Sequence, residues 1–85
     1  RLERIARAER ARVDHLLAQA RALEQAQQIR AYVAAVQTAN ASRPEPMSSE
    51  DLAEWSGWAL ARADRIDPVI SGTFKTRPAN EEPAE

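Results

Sequence analysis

Cysteine is absent from these 85 residues, histidine and tyrosine occur once each, and glycine and tryptophan twice each. Without cysteine, neither a disulfide framework nor a thiolate zinc site can form. A lone histidine, His15, supplies neither a zinc ligand set nor a nucleophile–histidine–acid arrangement, so it reads as a helix-surface or interface residue. No glycine-rich phosphate loop can be drawn. No apolar run approaches the ~20 residues that span a bilayer. The N-terminus is charged and helical in pattern, unlike the apolar core of a signal peptide. These absences argue against an enzyme, and no catalytic residue, cofactor, metal or membrane partner is expected. Lack of cysteine suits a reducing compartment.

Glycine and proline are also missing from residues 1–40, which are rich in Ala, Arg, Leu, Glu and Gln. These are strong helix formers, so one long helix is expected from about Leu2 to Thr38. The segment 41–47, with Ser42-Arg43-Pro44-Glu45-Pro46, stops it, because proline lacks the N–H a helix needs and pushes its predecessor out of the α region. Ser48-Ser49-Glu50-Asp51 opens a second helix, with Ser48 and Asp51 as a loose capping box. Glu50, Asp51 and Glu54 could be imagined around a cation, but acids in a first turn are already explained by the helix dipole. The second helix occupies 48–67, and Asp67-Pro68 ends it. Residues 68–85 read as an irregular, largely disordered tail, with at most a short extended piece at Val69–Phe74. The chain starts on Arg1 inside a helical pattern, which leads to the expectation that it is the C-terminal part of a longer protein.

Side chains at 100° per residue fall into stripes. In the second helix Leu52, Trp55, Ala59, Ala63 and Ile66 share one face, with Trp58 at its edge. In the first, Leu23, Ala26, Ile29, Val33 and Val36 share a face, flanked by Tyr32. The expected core sets these two faces together, with Tyr32 and Trp58 closing the sides and residues 22–39 as the packed half. The fold class is therefore all-α: an antiparallel helical hairpin with one long N-terminal helix and a shorter second one, able to dimerise into a bundle or coiled coil. Gly57 lies on the back of the second helix in line with Ala53 and Ala61, either as a site of close backbone approach or as a neutral exposed residue.

A further stripe, Leu2, Ile5, Val13, Leu16 and Ala20, is rotated by roughly 150° from the core stripe of the same helix. It has no evident partner in the sequence, so the 2–20 extension is the candidate interaction surface, for a second copy or for another protein. The first half of the chain is also basic. Residues 1–40 hold seven arginines against four acids, a net +3, and residues 41–85 hold nine acids against five bases, a net −4. Arg4, Arg7 and Arg10 step along one slowly turning face beside Arg1 and Arg12 and could contact nucleic-acid phosphates. Against this, Glu3 with Arg7 and Glu9 with Arg12 have the spacing of local ion pairs, and no aromatic is interleaved.

The run Ala26-Gln27-Gln28-Ile29-Arg30-Ala31-Tyr32-Val33 precedes a Pro-rich loop. Trp55, Trp58-Ala59-Leu60 and Ala63-Asp64-Arg65-Ile66-Asp67-Pro68 follow it. Together they resemble the C-terminal helical region of uncharacterised bacterial proteins, some associated with mobile genetic elements. The resemblance covers about residues 10–70. It implies a bacterial, cytoplasmic setting and a parent protein linked to DNA, and it carries no functional residues. The resulting expectation is a helical protein-interaction or oligomerisation module. The alternative is a nucleic-acid-binding accessory helix using Arg4, Arg7 and Arg10.

Overall fold

The computed structural model describes residues 1–78. Helix α1 spans Leu2–Asn40 and α2 spans Ser49–Ile66. A single α-turn, α3 (Pro68–Ser71), and a 3-10 turn at Thr73–Lys75 follow. Among the described residues there is no strand. The fold is an all-α helical hairpin. At 1.5 Å per residue α1 alone is about 58 Å long, and the molecule measures 66 × 18 × 13 Å. It is therefore one helix layer thick, and α1 projects well beyond the shorter α2.

Pairs of contacting residues give the direction. Asn40 bonds Met47, the Tyr32 ring meets the Trp55 ring edge-on at 6.1 Å, and Arg30 bonds Asp64. As α1 numbers fall, α2 numbers rise, so the helices are antiparallel. The turn between them is closed by one side chain. Asn40 Nδ2 donates to the Met47 carbonyl at 3.0 Å, and Asn40 Oδ1 accepts from the Met47 N–H at 2.8 Å. This fork lets α1 run two residues past Thr38 and still satisfies the loop backbone. At the start of α2, Ser48 Oγ accepts from the Asp51 N–H at 3.1 Å. That bond offsets one of the four unpaired donors at a helix N-terminus.

The interior is small and made of small residues. Ala26, Val33, Ala59 and Ala63 are its buried apolar side chains, joined by buried Ser56. Leu23, Ile29, Val36, Leu52, Trp55 and Ile66 are half-buried around them. The centre of the α2 face thus runs Leu52–Ser56–Ala59–Ala63, only about 30° round from the centre of the expected stripe, whose five residues are all buried or half-buried. Two residues expected to close the sides stand largely in solvent: Trp58 is 67% exposed, and Tyr32, although its ring meets Trp55, is 64% exposed. Trp58 lies roughly 100° or more from the new centre line, beyond what a single partner helix covers. Gly57 faces open space, with nothing within 4 Å of the position a Cβ would take.

The tail corrects the sequence reading further. Residues 68–75 are helical turns rather than irregular or extended chain. Asp67 is the reason. Its Oδ1 accepts from the N–H groups of Val69 (2.8 Å) and Ile70 (3.2 Å), and Pro68 at the first helical position has the required φ already set. The residue pair that ends α2 also starts α3. Gly72, at φ 81°, then turns the chain through the left-handed region. The remainder of the expected disordered tail, residues 79–85, lies outside the described residues.

Candidate interaction surface

All the positions of α1 that are covered at all form one nearly straight row: Ala11, His15, Gln19, Ala22, Ala26, Ile29, Val33, Val36 and Asn40, with Leu23 and Arg30 alongside. α2 covers the later half of this row. The turns after α2 cover the earlier half. Gln19 Nε2 donates to the Thr73 carbonyl at 2.7 Å, and His15 Nε2 lies 3.2 Å from both the carbonyl and the hydroxyl of Thr76. Polar side chains thus hold the tail on α1 by hydrogen bonds to its backbone. An apolar-stripe search does not see them, although their i, i+4 spacing continues the core row.

The stripe Leu2, Ile5, Val13, Leu16 and Ala20 lies on a different side of α1 from this row. Leu2 is 82% exposed, Ile5 59% and Leu16 63%. The tail reaches one edge of it. Phe74, itself 54% exposed, lines a groove with Val13, Leu16 and Arg12. The surface is therefore wider at residues 13–19 than the helix alone would make it. Residues 2–20 have no evident partner in the sequence. Among the described residues Leu2 and Ile5 are largely exposed, whereas the tail folds back alongside Val13 and Leu16.

Charge is arranged on the other side of the same helix. Arg1, Arg4 and Arg7 line a shallow polar hollow with Glu3. The expected pairs Glu3–Arg7 and Glu9–Arg12 do not form ion pairs; among the described residues the ion pairs all belong to Arg30. Surface i, i+4 pairs contribute only ~0.3–0.5 kcal/mol, too little to hold long exposed side chains in one geometry. Arg4, Arg7 and Arg10 are exposed and make no such contact among the described residues.

A second apolar surface lies between the main helices. Tyr32, Trp55 and Trp58 line an open groove with Ile29 and Ile66, and Arg62 borders it. Among the described residues no group of three or more His, Asp or Glu side chains could hold a metal ion. Among them, too, no helix is long and apolar enough to cross a membrane. No family model, curated protein or solved structure matches the chain.

Proposed function

We propose that this chain is a helical protein-interaction module that assembles through the N-terminal half of α1. The observation that carries this reading is the exposure of Leu2, Ile5 and Leu16 along one side of a helical extension that α2 does not reach. Leucine and isoleucine left largely in water at regular helical spacing are the usual mark of a face that another helix covers. Helices in proteins gain most of their stability from tertiary packing, and residues 2–10 of α1 are all exposed among the described residues. The test is the solution mass by light scattering over a range of concentrations, for the native chain and for Val13→Asp with Leu16→Asp. The native chain is expected above monomer mass and the double variant at monomer mass with its helicity kept. Identical masses for the two would exclude this surface.

A second reading rests on the exposed arginines. Arg4, Arg7 and Arg10 present a basic face opposite the apolar one, and cations with no ion pair among the described residues can release counterions from a nucleic-acid backbone. Binding to generic duplex DNA that weakens steeply with salt, and is lost when all three become Gln, would favour it. No binding at low salt removes it.

A further inference from the structure

We infer that the occupant of the exposed α1 face is a second copy of the same segment, running antiparallel and centred between residues 10 and 11. This rests on the assembly surface proposed above and specifies its partner and orientation.

The apolar stripe is confined to residues 2–20. Continued along the same side of α1 it meets Gln27, Ala31, Ala34 and Thr38, which are exposed and polar or small. The natural partner is therefore a stripe of the same length, and its midpoint is residue 11. Glu9 stands in the middle of the stripe and Arg12 at its margin. In a parallel, in-register pair Glu9 faces Glu9 of the other copy at the centre of the seam, which leaves two like charges with no answer. In an antiparallel pair, placing Glu9 opposite Arg12 of the second copy centres the two-fold axis between residues 10 and 11. That register satisfies both charges twice by symmetry. It also sets Ile5 opposite Leu16 of the second copy, next to the edge that Phe74 widens. The point of charge symmetry and the midpoint of the apolar stripe fall within one residue of each other, and nothing in either one dictates the other.

Longer-range charge agrees. Residues 1–8 carry Arg1, Arg4 and Arg7 against Glu3, a net +2, while residues 13–20 carry only Asp14, a net −1 with His15 neutral. An antiparallel pair lays the positive end of one copy over the negative end of the other, whereas a parallel pair apposes two positive ends. The overlap of 19 residues is about 28 Å long. That is a small contact by the standard of stable interfaces, so a concentration-dependent dimer is expected.

The chain contains no cysteine, so an introduced thiol is unique. Ile5→Cys and Leu16→Cys each replace an exposed side chain and leave the hairpin core untouched. In the antiparallel register the two copies of position 5 are about 16 Å apart along the axis, far beyond the 4.4–6.8 Å between Cα atoms that a disulfide spans. Positions 5 and 16 of opposite copies are adjacent. Mild oxidation of an equimolar mixture of the two variants should give the mixed disulfide at least tenfold over either homodisulfide. Efficient homodisulfides from each variant alone, with a dimer mass by light scattering, would overturn the antiparallel register and leave the assembly surface standing. A dimer mass with no disulfide in any mixture would place the contact elsewhere. A monomer mass for the native chain at all concentrations would overturn the proposed function and this inference together.

Discussion

Arg30 reaches across from α1 to hold Asp67, its Nη2 lying 2.8 Å from Asp67 Oδ2 and 3.1 Å from Asp64 Oδ1. The other carboxylate oxygen of Asp67 caps α3. One buried side chain therefore ends α2, starts α3 and ties both to α1. If that junction opened, the turns that carry Thr73 and Thr76 to Gln19 and His15 would lose their anchor.

This predicts an acid-dependent part of the stability. Burial pushes the Asp67 carboxyl upward, but the hydrogen bonds from Arg30 and from the Val69 and Ile70 N–H groups outweigh it, and the carboxyl sits below its ordinary 3.8. A carboxylate lower in the folded than in the unfolded state contributes stability that is complete above the unfolded value. That stability is lost as pH falls below about 4 towards the folded value. Tm should therefore drop more steeply for the native chain than for Asp67→Asn on going from about pH 5 to about pH 2. The variant should be the less stable of the two near neutrality. Parallel Tm curves for the two proteins would show that Asp67 carries no such linkage.

Ser56 predicts a gain. Its hydroxyl is buried in the small-residue interface and has no hydrogen-bond partner among the described residues. An unsatisfied buried hydroxyl costs on the order of 1–3 kcal/mol, and alanine is the better helix former. Ser56→Ala should thus stabilise by roughly 1 kcal/mol, read as a higher urea midpoint with an unchanged m-value. A loss of similar size would mean that the hydroxyl is bonded in solution.

How much of this was legible beforehand differs by element. The lengths of α1 and α2 and the Ser48 cap follow from propensity and chain-breakers, which act locally, and they are found where local chemistry puts them. The expected α2 face, Leu52, Trp55, Ala59, Ala63 and Ile66, is the one that packs, and steric fit draws its centre towards Ser56, because Ser56, Ala59 and Ala63 let the helices close. Apolar patterning cannot show that, because serine scores as polar. The turns of the tail are not legible in the sequence, because Asp67-Pro68 signals a helix stop and a helix start equally well. His15 and Gln19, which hold it, look like any exposed polar pair until Thr73 and Thr76 are brought beside them.

The two tryptophans should therefore behave differently. Trp55 is half-buried and meets Tyr32 edge-on, while Trp58 stands in solvent. Trp55→Ala should cost about 3 kcal/mol, the low end for a large core residue, and Trp58→Ala no more than about 0.5 kcal/mol. Fluorescence checks the assignment independently. Acrylamide should quench Trp58 in the Trp55→Phe protein far more readily than Trp55 in the Trp58→Phe protein. Equal quenching would mean that the groove around Tyr32 is covered in solution.

The tail should come loose as a unit of its own. Gly72 holds φ 81°, and nothing lies within 4 Å of where a Cβ would project, so Gly72→Ala meets only the backbone cost of the left-handed region. That cost is roughly 1–2 kcal/mol. The turn it strains carries the Lys75 N–H to the Gly72 carbonyl and the Thr76 N–H to the Thr73 carbonyl, at 3.1 and 3.0 Å. Among the described residues, only Gln19 and His15 tie that turn back to α1 by hydrogen bonds. The strain should therefore be released by undocking, not by unfolding the hairpin. Amide hydrogen exchange at Lys75 and Thr76 should speed up by about 5- to 30-fold, with exchange in the α1–α2 interface around Val33 and Ala59 unchanged. Gln19→Ala should produce the same pattern without touching the turn itself, because it removes the 2.7 Å bond to the Thr73 carbonyl. If instead exchange rises equally at Val33 and at Thr76, the tail and the hairpin open as one cooperative unit, and the turns after Asp67 are part of the core.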